Sequence, residues 1–456
     1  MKEINIMACI YRTSILFLIT VFTGNTYADT IQDAIKHSLN THPEVSAAIN
    51  SRFSADHDLS AAKGGYLPSI TLNAGAGREE TDSVSTRASG NHRTGLNRSE
   101  SSINLSQMVF DGFATSSEVG RQRATVNSRA YKVLNTSETT ALDAVQVYLD
   151  VLQRQEFVRL AEANLANHER IYDQIKLRSE QGVGRLADLE QAEARLAQAR
   201  NNLLTEKTNL DDAQTNYHSV IGKEAANLVL PSDSTIILPA SLKEAQRIMR
   251  ANSPALKSAE SDIEATEQQY EAAKSTFYPR VNIELARSMD NNIDGSRGHN
   301  NEWQAMLRMR YNLYEGGSGK AGIESKAYQI KEAQDLRNNA LRQLNEELRL
   351  SWSALNNARQ QLPIAAEYAN RSMKVRTAYQ KQFSLGERTL LDLLDSENEL
   401  FTAQRRLVEV RFISLFSEYR IKSRMGDLLN SLSIPAPAAG NSLTNVTARA
   451  ELPGLN

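Results

Sequence analysis

The chain has 456 residues, 41% hydrophobic and 23% charged, so it can bury a core and is not a disordered chain. Lys plus Arg number 52 against 54 for Asp plus Glu, which leaves no basic footprint for nucleic acid. One cysteine excludes a disulfide framework and a cysteine-rich zinc site, and sparse Gly (22) and Pro (10) favour long helices.

The first 28 residues read as an export signal. Lys2 and Arg12 supply positive charge, Ser14-Ile-Leu-Phe-Leu-Ile-Thr-Val-Phe22 is an apolar run too short to span a bilayer easily, and Thr26-Tyr27-Ala28 predicts cleavage after Ala28. Cys9 leaves with it. Removing Lys2, Glu3 and Arg12 leaves 50 basic and 53 acidic residues. No later run of about 20 apolar residues offers a transmembrane helix.

From residue 29 the chain is written twice. Pro43 and Pro68 recur 211 residues later as Pro254 and Pro279, in matching contexts: Thr30-Ile-Gln-Asp-Ala-Ile against Ser241-Leu-Lys-Glu-Ala-Gln, and Tyr66-Leu-Pro against Phe277-Tyr-Pro. Thereafter the offset is 204: Val109-Phe-Asp-Gly matches Leu313-Tyr-Glu-Gly, Gly182 to Asp188 matches Gly386 to Asp392, and Gly222 matches Gly426. The predicted copies are 29–222 and 241–430, joined by a linker over 223–240 and followed by a Pro-, Ala-, Ser- and Asn-rich tail, 431–456, expected to be mobile.

Each copy predicts a short helix, a hairpin, a very long helix, a turn and a medium helix. In the first copy the hairpin is placed at about 66–112, the long helix at about 114–181 and the next helix at 185–222; in the second, at about 277–315, 317–384 and 388–429. Residues 121–181 contain neither Gly nor Pro, a stretch of about 90 Å at ~1.5 Å per residue. The two shorter helices together match the long one, so each copy can form a two-stranded column. Pro363 is expected to kink the second long helix. Leu189, Leu196, Leu203 and Leu210, and Leu393, Leu400 and Leu407, repeat every seven residues, the mark of a left-handed coiled-coil seam.

In the hairpins the period becomes two. Ile70, Leu72, Ala74 and Ala76 alternate with Thr71, Asn73 and Gly75; Val281, Ile283 and Leu285 with Asn282 and Glu284; Trp303, Ala305, Leu307, Met309 and Tyr311 with Gln304, Arg308 and Arg310. Strands of about ten residues, apolar on one face and polar on the other, suit a membrane barrel, with an ordinary soluble sheet as the alternative. Four strands cannot close a barrel, and open sheet edges are not allowed in lipid, so membrane-spanning strands must be pooled from several chains. Trp303 and Tyr311 are then candidate membrane-interface anchors.

The duplication, Tyr66-Leu-Pro, Phe110-Asp-Gly and above all Phe383-Ser-Leu-Gly-Glu-Arg-Thr-Leu-Leu-Asp-Leu-Leu-Asp395 resemble the TolC family of outer-membrane efflux and secretion channels over essentially the whole mature chain. The resemblance implies a mainly α fold with a small β part: a homotrimer whose twelve strands form one outer-membrane barrel, continuous with a twelve-helix periplasmic α-barrel, with residues near 223–253 and the chain ends in a belt around its middle. It implies that the tips Gly182, Val183, Gly184 and Arg185, and Leu385, Gly386 and Glu387, meet a periplasmic membrane-fusion adaptor. It matches Asp392 and Asp395 to the acidic ring of the entrance aperture, although Thr389-x-x-Asp392 is also a capping-box pattern. Asp188 and Arg388 match latch positions, and Phe383 replaces the latching tyrosine of the best-known member and cannot donate a hydrogen bond.

The seven histidines show no metal-ligand spacing, and neither a nucleophile elbow nor a phosphate loop is present, so no catalytic or cofactor role is expected. The expected function is a passive exit duct for type I protein secretion, recruited by an inner-membrane ABC transporter through the adaptor. The alternatives are the outer-membrane part of a small-molecule efflux pump, driven by protons for example, and a secreted coiled-coil protein without a channel.

Overall fold

The computed structural model describes residues 29–90, 92–231 and 236–450; the expected export segment lies outside them. In chain order the elements are α1 (Ile31–Thr41), α2 (Pro43–Gly64), β1 (Ser69–Thr81), α3 (Val84–Ala88), β2 (Thr94–Phe110), α4 (Ala114–Glu180), α5 (Leu186–Ile221), α6 (Leu242–Asn252), α7 (Pro254–Ala273), β3 (Arg280–Asn291), β4 (His299–Arg310), α8 (Ser318–Ser384), α9 (Leu390–Arg424) and α10 (Leu428–Ser431).

Local chemistry sets the helix boundaries. Thr30 and Ser241 cap α1 and α6 by accepting the N–H of Asp33 and Glu244. Pro43 and Pro254 open α2 and α7, where a missing N–H costs nothing. The long helices α4 and α8 have 67 residues each, about 100 Å at ~1.5 Å per residue. α8 runs on as helix through Pro363, which lies on its exposed side. α4 has α2 and α5 along its length and also packs against α7 and α9; α8 packs against α7 and α9. No described helix is long and apolar enough to cross a membrane.

The sheet is an antiparallel meander in the order β1-β2-β3-β4, so β2 of the first copy pairs with β3 of the second. Among the described residues β1 and β4 are each paired on one side only, which leaves two open edges. Register puts Leu72, Ile103, Arg287 and Trp303 in one row across the sheet, and Ile70, Leu105, Leu285 and Ala305 in the next row on the same face. Leu72 and Trp303 are 73% and 77% exposed, so this apolar face has no cover within the chain. A bulge between Met108 and Phe110 skips Val109 and brings Phe110 opposite Val281. Simple alternation along β2 would have given that place to Val109. Beyond the bulge Gly112 has φ +72°, and a Cβ there would strike the Tyr278 side chain and the Ser275 backbone.

The main core lies where α1, α4, α5, α9 and α10 meet, around the fully buried Tyr148, Tyr217 and Ile35. Asp29 ties the linker to it, taking the Tyr217 hydroxyl at 3.0 Å and the Lys223 ammonium at 2.8 Å. The tail departs from expectation. Residues 431–450 are anchored: Leu432 and Ile434 enter the core, Asn127 donates to Thr444 Oγ1 at 2.7 Å, and the Tyr131 hydroxyl accepts the Val446 N–H at 3.0 Å. Composition suggested mobility because the anchors are on α4, over 300 residues away. The start of this segment is gripped by Glu138, whose carboxylate accepts the N–H groups of Leu428 and Leu429 at 3.0 and 3.2 Å. Burial pushes the Glu138 carboxyl up to about 7, against the pull of those two N–H groups.

Candidate functional site: the helical tips

The two turns that reverse the chain between long and medium helices are built alike. Gly182 (φ +73°) and Gly386 (φ +80°) adopt left-handed backbone that a side chain would strain. The N–H of Val183 bonds Arg178 O at 3.1 Å, and the N–H of Glu387 bonds Gln382 O at 2.9 Å, closing both loops. Gly184 is fixed for another reason: a Cβ there would meet the Ser179 backbone at 2.8 Å. The turns leave Val183 (81% exposed), Leu186 and Leu385 pointing into solvent at the end of the molecule.

After the second turn α9 begins with a full capping box. The Asp392 N–H donates to Thr389 Oγ1 at 3.3 Å and the Thr389 N–H donates back to Asp392 Oδ2 at 3.4 Å, with the Thr389 hydroxyl adding a bond to the same oxygen at 2.8 Å. Arg388 approaches the same carboxylate at 3.8 Å, stacks on the Tyr379 ring at 4.3 Å and bonds Gln382 at 3.1 Å. Asp395, one turn on, pairs with Arg195 of α5 at 2.9 Å, which ties the tips of the two copies together. Leu393 and Leu394 are buried beside the two acids in a cluster with Ile171, Ile175, Ala192 and Leu390.

Phe383 belongs to that cluster and carries the Arg178 guanidinium on its ring at 5.2 Å. Among the described residues no hydrogen bond or ion pair joins Asp188 to Arg388. Asp188 sits in the first turn of α5, where its charge suits the helix dipole.

Two ion pairs above the tip, each with a buried carboxylate and a partly exposed arginine, escaped sequence reasoning. Glu397 of α9 is 3% exposed and meets Arg376 of α8 at 3.1 Å and the Asn167 amide of α4 at 3.1 Å. Burial raises its carboxyl above the usual range despite Arg376. Glu206 of α5 meets Arg405 of α9 at 2.8 Å, and Arg405 lies over the Phe157 and Phe401 rings. The one signal was an acid beside each leucine seam. At the far end of the molecule, Trp303 and Tyr311 stand exposed on and just beyond β4.

Family comparison agrees with this architecture. The outer membrane efflux protein family model matches residues 34–223 and 247–420, one stretch per copy. The chain belongs to the outer membrane efflux protein family. Members are channels of the outer membrane that reach into the periplasm, not enzymes, and the chain is one of them. The outer membrane efflux protein BepC of Brucella suis is 25% identical over 410 residues, 89% of this chain and 88% of that one. The proteases secretion protein PrtF of Dickeya chrysanthemi is 23% identical over 427 residues, 89% of this chain and 90% of its own. The Campylobacter jejuni CmeC outer membrane channel superposes with TM-score 0.77 at 14% identity, over 87% of this chain and 86% of its own. CusC superposes with TM-score 0.76 at 15% identity, over 89% and 92%. The family fold thus accounts for the duplication, the sheet and the long helices together.

Proposed function

We propose that this efflux-family chain is the passive exit duct of a type I protein secretion assembly. Three copies pool their strands in one wall and work with a membrane-fusion adaptor and an inner-membrane ABC transporter. The observation that carries the reading is the sheet: an uncovered apolar face and two open edges, which lipid tolerates only if neighbouring copies pair edge to edge. Trp303 and Tyr311 lie eight residues apart, about 27 Å of strand at ~3.4 Å per residue, and anchor the two membrane interfaces.

In this reading Asp392 and Asp395 line the periplasmic aperture, six carboxylates in three copies, and favour cations. Asp188 and Arg388 latch adjacent helix pairs, and Phe383 fills the tip beneath them. Gly182, Val183, Gly184 and Arg185, with Leu385, Gly386 and Glu387, meet the adaptor, for which the exposed apolar Val183 and Leu385 are suited. Relatives named for protease secretion, PrtF and AprF, support the protein-export reading.

A second reading, the outer-membrane part of a small-molecule efflux pump, is supported by relatives named as a cation efflux protein, CusC, and a solvent efflux protein, SrpC. Deleting the gene and comparing exported proteins with susceptibility to small toxic compounds separates the two. Loss of one large exported protein with unchanged susceptibility supports secretion. Hypersensitivity with a normal set of exported proteins overturns it in favour of efflux. A product that fractionates without membranes and stays dissolved without detergent overturns both.

A further inference from the structure

One side of α6 carries a basic line that runs from solvent to the edge of the core. Positions 243, 246, 247 and 250 share one helix face by their 3.6-residue spacing, and here they are Lys243, Gln246, Arg247 and Arg250. The opposite face goes into the core, where Ala245 and Met249 pack with Leu341 and Leu348 of α8. Facing the basic line are residues 447–450 of the anchored tail, pinned where the Arg449 N–H donates to Glu260 at 3.2 Å. Helix and tail bound a groove whose charged lining is Lys243, Arg247, Arg250 and Arg449, with no carboxylate among the described lining residues. Arg247 is neutralised by Glu244 at 2.6 Å. Among the described residues the other three cations have no ion-pair partner, and the Arg250 Nε is buried without a hydrogen bond.

The duplication supplies an internal control. The residues of α1 that correspond to this face, 211 positions earlier, are Gln32, Ile35, Lys36 and Leu39. Ile35 and Leu39 are buried in the core, so the first copy uses these places for packing. The second copy has polar side chains, Gln246 and Arg250, at these two places, and one of them is a cation. Three neighbouring unpaired positive charges repel one another, and an anion between them relieves that repulsion. Guanidinium groups suit planar or tetrahedral oxyanions because two N–H donors can reach two oxygens.

We propose that this groove binds the oxyanion of a periplasmic ligand, a carboxylate or a phosphate. Its level along the molecule narrows the source. Gln246 donates to Asn345 at 2.7 Å, and Asn345 lies 27 residues along α8 from Ser318, about 40 Å from the sheet end at ~1.5 Å per residue. A lipid phosphate in the membrane cannot reach it. A diffusing anion, or a fixed polymer such as the peptide carboxylates of the cell wall, can.

The test uses the purified full chain in neutral detergent and two probes: inorganic pyrophosphate followed by calorimetry, and cosedimentation with protein-free cell-wall sacculi. The expected result is salt-sensitive binding to at least one probe, weakened about tenfold or more in Lys243→Ala/Arg250→Ala/Arg449→Ala and unchanged in Lys36→Ala. Binding to sacculi alone assigns fixed carboxylates; binding to pyrophosphate as well assigns a general oxyanion site. No binding to either probe, or equal binding by native and triple variant, overturns the proposal. If the triple variant loses helical content, Lys243→Glu/Arg449→Glu, which alters two exposed side chains, replaces it under the same criterion.

Discussion

Asp188 and Asp392 occupy the same place in the two halves of the chain, 204 residues apart, but only Asp392 is locked by a threonine cap. Its partner at the N-cap is Thr389, whereas the corresponding residue before α5 is Arg185, whose side chain caps nothing. The two tips therefore have the same turn and unequal helix starts. Thr389→Ala is expected to cost about 1 kcal/mol at the start of α9, and Arg185→Thr to strengthen α5 by about half as much. Amide exchange of residues 392–395 against 188–191 checks both. Exchange at 392–395 unaffected by Thr389→Ala would show the cap to be idle.

The acidic pair at the tip should govern ion preference. Asp392→Ala/Asp395→Ala is expected to weaken cation selectivity, and block by multivalent cations, in bilayer conductance. Arg195 holds Asp395 at 2.9 Å and offsets its charge, so Arg195→Ala should shift selectivity the other way. Unchanged selectivity in the double variant removes both acids from the aperture.

The buried Glu397 carboxylate and its Arg376 partner predict a marked asymmetry between single and double changes. Arg376→Ala strands the Glu397 carboxylate at 3% exposure and should cost about 3 kcal/mol. Arg376→Leu/Glu397→Leu removes both charges and should recover most of that loss. Thermal unfolding in detergent measures it; equal damage from single and double variants would argue against charge burial as the cause.

Glu138 gives a pH dependence with a definite sign. Its carboxyl is raised from the ordinary 4.5 to about 7 in the folded chain, so between these values the folded state binds more protons than the unfolded. Its contribution is complete below about pH 4.5 and lost as pH rises through 7. Unfolding temperature should therefore fall between pH 5 and 7.5, and Glu138→Gln should flatten that slope. An unaltered slope excludes Glu138 as its source.

The sheet face can be tested with neighbouring residues. Leu285→Arg, on the uncovered apolar face, should cost about 2–4 kcal/mol in the membrane, whereas Ala286→Arg, on the opposite face, should be tolerated. Heat resistance of the assembled species reads the difference, and equal effects would place neither face in lipid.

Much of this architecture was legible because it rests on periodicity. The paired prolines and glycines revealed the duplication, and period two separated Leu72 and Trp303 from Asn73 and Gln304. What escaped depends on partners distant in sequence. Nothing local near Thr444 announces Asn127, and Glu397 reads as another acid on a wet helix until Arg376 and Asn167 are brought to it. The Phe110 bulge escaped because an inserted residue shifts the period without changing composition. At the tip, nothing local announces that Arg195 of the other copy comes to lie beside Asp395.

The pairing of β2 with β3 joins the halves inside the sheet itself. Because one chain holds both halves, each can depart from its twin: the second tip carries a threonine cap where the first has Arg185, and α6 carries charge where α1 packs.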